Sequence, residues 1–268
     1  MMPMSKKAIL VVSFGTSYND NCEKTIGATE SLISKSFPQW AVLRAFTSKM
    51  IIKKLKERDG NVVYYIDEAL QRLVDDGFDT VIVQPTHIMN GTEYDFVAHF
   101  VEKFRDKFRC IRIGKPLLTS GEDYEKVVEA ISAGIIIPAK EMAGPDAGIV
   151  LMGHGSEHFA NSAYSQLQLC LWLSGYEDVY VTTVEGFPDF VDTMALMKGM
   201  GIRNVVIQPL MLVAGDHANN DMAGDEPDSL KSVLEHNGYK VFPMVKGLGE
   251  IPEFRQLFVD HISDLMKE

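Results

Sequence analysis

The feature that most limits the fold of this chain is an alternation of two kinds of segment. Short runs rich in Val and Ile are separated by longer stretches with apolar residues at helical spacing. The runs are AILVVSF, AVLRAF, TVIVQP and CIRIG in the first half, then GIVLMG, VYVTTV, NVVIQP and YKVFP in the second. A strand covered on both faces reads as an unbroken apolar run, and strand–helix–strand succession builds a parallel sheet. An α/β protein is therefore expected, with helices over 22–36, 67–76, 93–107, 124–133, 162–173, 189–200 and 252–266.

An internal repeat refines this expectation. The segment VIVQPTHIMNGTEYD, from Val81, aligns without gaps on VVIQPLMLVAGDHANND, from Val205, setting Gln84 on Gln208, Pro85 on Pro209, Gly91 on Gly215 and Glu93 on His217. A second match sets LVVSFGTS against IVLMGHGS, with Phe14 on His154 and Gly15 on Gly155. The offset is 140 residues in that match and 124 in the first, so the first half carries 16 extra residues, placed in the region 51–65. Two similar lobes, each a parallel β-sheet flanked by helices, imply a cleft between them. Ligands of open α/β sheets bind beyond the carboxyl ends of the strands, so the loops after the first and third long strands of each lobe should line it. The Gly- and Pro-containing stretch 134–148 is the expected boundary, giving lobes 1–134 and 135–268, with the closing helix 252–266 a candidate to pack on the first.

Composition removes several classes of function. A formal charge of −11 disfavours nucleic acid or an anionic membrane as the partner, since both reward a dense cationic face. The apolar run Ile9–Val12 is too short for a signal peptide, whose core needs about 7–15 residues, or for a spanning helix of about 20. A buried first strand explains it, and a cytoplasmic protein is expected. Cys22, Cys110 and Cys170 are widely spaced and odd in number, which suggests neither a disulfide framework nor a cysteine metal site.

Three residues with metal-binding side chains follow apolar strands in the second half: His154 in LMGHGSEH, Glu185 in VTTVEGFP and His217 in LVAGDHANND. A lone loop histidine is more often a hydrogen-bonded structural residue than a ligand, but three successive strand ends shift the balance towards function. Imidazole ordinarily titrates near about 6.5, so its neutral, metal-binding form is available at neutral pH. Two His and one carboxylate suit Co²⁺, Fe²⁺, Ni²⁺ or Zn²⁺ and leave coordination positions open. His154 and His158 are spaced as a helical zinc pair would be, but Gly155 intervenes and H-E-x-x-H is absent. Ser156 lacks a G-x-S-x-G elbow. In the first half, Ser13, Gly15 and Thr16 of SFGTS form a loop able to hold an anion, a carboxylate as readily as a phosphate. Arg44 opens RAFTSKMIIKK, a basic stretch. His87 and Glu93 occupy the loop matching His217, although a glutamate at a helix start is equally well explained by the helix dipole. His99, His236 and His261 read as surface residues.

The motifs VVSFGTSYNDNCEKTI, RAFTSKMIIKKL, HIMNGTEYD, GKPLL, VLMGHGSEH, VEGFPD and PLMLVAGDHANNDMAGDE, in this order over nearly the whole chain, resemble the sirohydrochlorin cobaltochelatases, a branch of the class II chelatases that includes ferrochelatase. The resemblance implies two chelatase-like lobes and a lyase that inserts Co²⁺ into sirohydrochlorin in anaerobic cobalamin biosynthesis. It further implies His154, Glu185 and His217 as cobalt ligands, and His154 as proton acceptor. Ser13, Gly15, Thr16, Arg44, His87 and Glu93 then become candidates for substrate contact, because sirohydrochlorin carries many carboxylates that an acidic protein must meet locally. No organic cofactor is expected. Some relatives bind haem through a histidine in the segment matching THIMNG, where His87 stands, which leaves haem open as a ligand. Relatives are often homo-oligomers, and no residue here selects a number. Two competing readings are an iron or nickel chelatase acting on the same tetrapyrrole, and a binding or storage protein that retains metal or tetrapyrrole without turnover.

Overall fold

The computed structural model describes residues 5–267, so Met1–Met4 and Glu268, at the outer ends of the expected lobes, lie outside it. The chain forms two compact units, Met1–Leu117 with Arg255–Glu268, and Leu118–Phe254. In the first, strands β1 (Lys7–Ser13), β2 (Ala41–Phe46), β3 (Tyr64–Tyr65), β4 (Thr80–Pro85) and β5 (Cys110–Ile113) form one parallel sheet in the order β3-β2-β1-β4-β5. In the second, β6 (Gly148–Gly153), β7 (Val179–Thr183), β8 (Asn204–Pro209) and β9 (Lys240–Pro243) form another, in the order β7-β6-β8-β9. This is the expected α/β fold.

The apolar runs are unbroken because both faces of each sheet are covered. Along β1, Ala8, Leu10 and Val12 pack with Leu70, Leu73, Val97 and Val101 on one side. Ile9 and Val11 pack with Ile33, Val259 and Ile262 on the other. The closing helix, Pro252–Lys267, thus supplies one face of the first unit's core. His261, expected at the surface, is buried on that helix and donates from Nδ1 to the Lys115 carbonyl at 3.0 Å, because the helix turns this face to the sheet.

The repeat is visible in hydrogen bonds. Val11 pairs in register with Gln84, and Leu151 with Gln208. Each buried glutamine donates from Nε2 to the following proline carbonyl and to a lysine carbonyl, Lys115 or Lys246. The extra segment of the first unit is accounted for by the helix Lys49–Asp59 and the short strand β3, which have no counterpart in the second.

The expected boundary at Gly134 falls inside a continuous helical stretch over 121–143. Pro138 cannot donate a backbone hydrogen bond, and the π-helical turn Ser132–Ile136 precedes it, so the helix absorbs the proline instead of ending. The units divide at Leu117–Leu118 and Phe254–Arg255. No helix among the described residues is long and apolar enough to cross a membrane.

Candidate metal centre

In the second unit, β6 lies between β7 and β8, so the chain leaves it to one side and returns on the other. That makes a topological switch point, where strand-end loops diverge and a ligand can enter. His154 follows β6, Glu185 follows β7 and His217 follows β8 by a longer loop. Backbone bonds fix the first two together: the His154 carbonyl accepts from the N–H groups of Val184, at 3.1 Å, and Glu185, at 2.8 Å. The Glu185 loop then turns back, with the Thr183 N–H and hydroxyl both donating to the Pro188 carbonyl. From below, the buried Tyr164 hydroxyl accepts from the backbone of Gly155 and His154, and burial pushes its pKa up to about 12, so it stays protonated.

The side chains stand close. The His154 and His217 rings meet edge to face with centroids 4.5 Å apart, and His154 Nδ1 lies 3.9 Å from Glu185 Oε2. Side-chain exposures of 45% for His154, 62% for Glu185 and 39% for His217 leave all three open to an arriving ion.

Hydrogen bonding selects which nitrogen each ring presents. His154 Nδ1 is 3.0 Å from the Gly155 carbonyl, which can only accept, so Nδ1 carries the proton and Nε2 the lone pair. Glu185 stands on the Nδ1 side of this ring. As they stand, the three residues are therefore neighbours and not a finished chelate: among the described residues no group of three or more His, Cys, Asp or Glu side chains is set to hold a metal ion. For an ion at Nε2 of His154, Glu185, the most exposed of the three, would have to swing from the Nδ1 side.

The equivalent strand ends of the first unit have the same backbone but different chemistry. Ser48 N–H donates to the Phe14 carbonyl as Glu185 N–H does to that of His154, and Gly15 has a positive φ like Gly155. Phe14, Ser48 and Glu93 thus stand where the second unit has His154, Glu185 and His217, and only Glu93 among them carries an imidazole or carboxylate. Glu93 is exposed in the first turn of the helix Thr92–Lys103 and accepts from the Thr47 hydroxyl at 2.7 Å.

Several candidates are already occupied. Ser13 is buried and its hydroxyl accepts from Thr86 at 2.9 Å, while Thr16 accepts from the Tyr18 N–H at 3.2 Å, so the hydroxyls of the 13–17 turn point into the protein. Gly15 turns the chain there, φ +104°. Arg44 forms a bidentate pair with Glu30, Nε to Oε1 at 2.8 Å and Nη2 to Oε2 at 2.5 Å, from the middle of β2 and not from its end. His158 is spent on a turn, its Nδ1 accepting from the Ala160 N–H. Sequence reading missed Tyr164 and Asp221. The second was detectable, since His217-x-x-x-Asp221 places both side chains on one side of a helical turn.

His87 differs from all of these. Both ring nitrogens are shielded from solvent and have no hydrogen-bond partner among the described residues, and burial lowers the pKa to about 4. The folded state therefore holds His87 neutral while the unfolded chain takes up a proton below about pH 6.5. Stability should be undiminished above that pH and fall as the pH drops from about 6.5 to about 4, by up to about 3 kcal/mol from this residue. The residue matching it in the second unit is Met211. His87→Met is expected to leave the urea midpoint at pH 7.5 nearly unchanged and to raise it at pH 4.5, as followed by circular dichroism.

Comparison with known proteins identifies the family of the chain. Residues 7–267 match the family model described as cobalt chelatase (CbiK). The chain is 40% identical over 261 residues to a sirohydrochlorin cobaltochelatase of Salmonella typhimurium, covering 97% of each chain. It is 32% identical over 267 residues to sirohydrochlorin cobaltochelatase CbiKC of Nitratidesulfovibrio vulgaris, covering 98% of this chain and 91% of that one. Among solved structures, SirB from Bacillus subtilis with Fe³⁺ superposes with a TM-score of 0.66 at 17% identity, covering 97% and 95% of the two chains. At that identity the likeness is one of fold.

Proposed function

The chain belongs to the cobalt chelatase (CbiK) family, and from that premise we propose that the strand ends of the second unit carry its reaction, with His154, Glu185 and His217 as the ligands that receive Co²⁺. The activity is insertion of Co²⁺ into sirohydrochlorin, a lyase reaction of cobalamin biosynthesis. One ion enters the ring and two protons leave it, so charge balances. The observation that carries the assignment is the meeting of His154 and His217 at 4.5 Å, beside Glu185, at the switch point of the sheet.

An inserting enzyme needs ligands that hold a partly dehydrated ion and then let it go. Two neutral imidazoles and one carboxylate give such an open set. Their exposure favours release over storage. As the ion passes to the ring nitrogens, each Nε2 lone pair it vacates can accept a proton, and His154 is assigned the first. Glu93 and His87 are retained as candidates for substrate contact. Arg44, Ser13 and Thr16 are not, because their polar groups are already engaged. We place the reaction in the cytoplasm, in keeping with three cysteines that are all unpaired.

The test is an anaerobic absorbance assay of the purified protein with sirohydrochlorin and Co²⁺, Fe²⁺ or Ni²⁺ supplied separately. Acceleration over uncatalysed insertion, greatest with Co²⁺, is expected. No acceleration with any ion would overturn the enzymatic reading, and a preference for Fe²⁺ or Ni²⁺ would overturn the assignment of the ion.

A further inference from the structure

We propose that Asp221 is a positioning residue for cobalt: it holds His217 in the Nδ1–H tautomer, so that Nε2 faces the incoming ion as a lone pair. His217 Nδ1 lies 2.7 Å from Asp221 Oδ2, within the range of a charge-assisted hydrogen bond. A carboxylate can only accept, so Nδ1 must carry the proton. The two residues are four apart, and the π-helical turn Ala218–Met222 that follows His217 carries Asp221 back beside its ring. π-turns of this kind are frequent at functional sites.

The arrangement matches that of His154, whose Nδ1 is held by the Gly155 carbonyl. Both rings are thus locked in the same tautomer by different acceptors, one neutral and one anionic. Metal-bound histidines commonly donate their second N–H to a carboxylate, which fixes the ring and raises its basicity. Free imidazole of histidine in water prefers the proton on Nε2, the atom the ion needs. Without Asp221 the ring would have to change tautomer before each loading. Asp221 is itself 43% exposed, so the fold does not depend on it.

The inference rests on the reading of His217 as a cobalt ligand, and the experiment separates the two. Asp221→Ala is expected to raise the KM for Co²⁺ by about 10–100-fold, the usual cost of removing such a partner, with the KM for sirohydrochlorin unchanged. Asp221→Ser, whose side chain is too short to reach Nδ1, should match it. Asp221→Asn should lose less, since the amide oxygen still accepts. In metal-free protein labelled with ¹⁵N-histidine, the His217 proton should move from Nδ1 towards Nε2 in the Ala and Ser variants and stay in place in the Asn variant. A KM for Co²⁺ within twofold of the parent in the Ala and Ser variants, or an unchanged tautomer in them, overturns the role given to Asp221. His217→Ala is measured beside them: if it too keeps normal cobalt insertion, the ligand assignment of His217 itself has failed.

Discussion

Replacing His217 by alanine is expected to cut the rate of cobalt insertion at limiting Co²⁺ by about 100-fold or more, while sirohydrochlorin still binds within twofold of the parent affinity. The magnitude follows from comparison with outer partners: removing a group that only orients a ligand costs about 10–100-fold, and removing the ligand must cost at least as much. His217 is 39% exposed and makes its hydrogen bond to Asp221, which water can replace, so the variant should fold with little change in melting temperature. His154→Ala should fall further, because that residue is assigned both a coordinate bond and the first proton. Steady-state metallation across a range of Co²⁺ concentrations, with substrate binding measured separately by absorbance titration, checks both. Near-normal turnover at limiting cobalt in either variant would remove that residue from the site.

The second large effect lies in the backbone. Gly155 has φ +84°, where a side chain is disfavoured, and a Cβ there would stand 2.7 Å from the Gly186 nitrogen and 2.9 Å from the Glu185 carbonyl carbon. These are main-chain atoms of the loop that presents Glu185, and that loop is pinned to the His154 carbonyl. Relief of the contact therefore has to displace Glu185 from His154, the two residues proposed as metal ligands. Gly155→Ala is expected to lose about 2–4 kcal/mol of stability, of which about 1–2 kcal/mol is the left-handed backbone and the rest the clash. Insertion should fall at least tenfold. Gly175→Ala is the matched control, since Gly175 has φ +87° but open space around it. It should pay only the backbone cost, about 1 kcal/mol, with unchanged turnover. Chemical denaturation and the insertion assay together distinguish the two variants. Equal losses in both would show that crowding against Gly186 is unimportant.

Much of the fold was legible because it is written in periodicity. Strands buried on both faces leave unbroken Val and Ile runs, and β1, β4, β6 and β8 were found from these alone. The repeat was legible for the same reason, and the register of Gln84 beside Val11 and of Gln208 beside Leu151 follows it. The division of the chain was less legible. Gly134 and Pro138 look like helix breakers in one dimension, whereas a π-turn accommodates them and the closing helix crosses from one unit's residues to the other's.

For the candidate site, position was readable and direction was not. Strand-end placement located His154, Glu185 and His217, but a sequence does not say which nitrogen of a ring is free, and Glu185 stands beside the nitrogen of His154 that is already committed. The internal partners of the basic and hydroxyl residues of the first unit were unreadable for a related reason. Arg44, Ser13 and Thr16 are chemically suited to carboxylates, yet each satisfies a neighbour that lies far off in sequence or turns inward: Glu30, Thr86 and the Tyr18 N–H. A buried polar group must find a partner, and that partner is set by packing. His87 found none among the described residues, which only the structure could show.

His154, Glu185 and His217 are proposed to receive cobalt together, and X-ray absorption at the cobalt edge, on protein loaded with one equivalent of Co²⁺ without tetrapyrrole, tests this most directly. The expected spectrum has two imidazole nitrogens and carboxylate or water oxygens in the first shell, with one imidazole lost in His154→Ala and one in His217→Ala. A shell of oxygens alone, any cysteine sulfur, or a spectrum unchanged by both substitutions would contradict it.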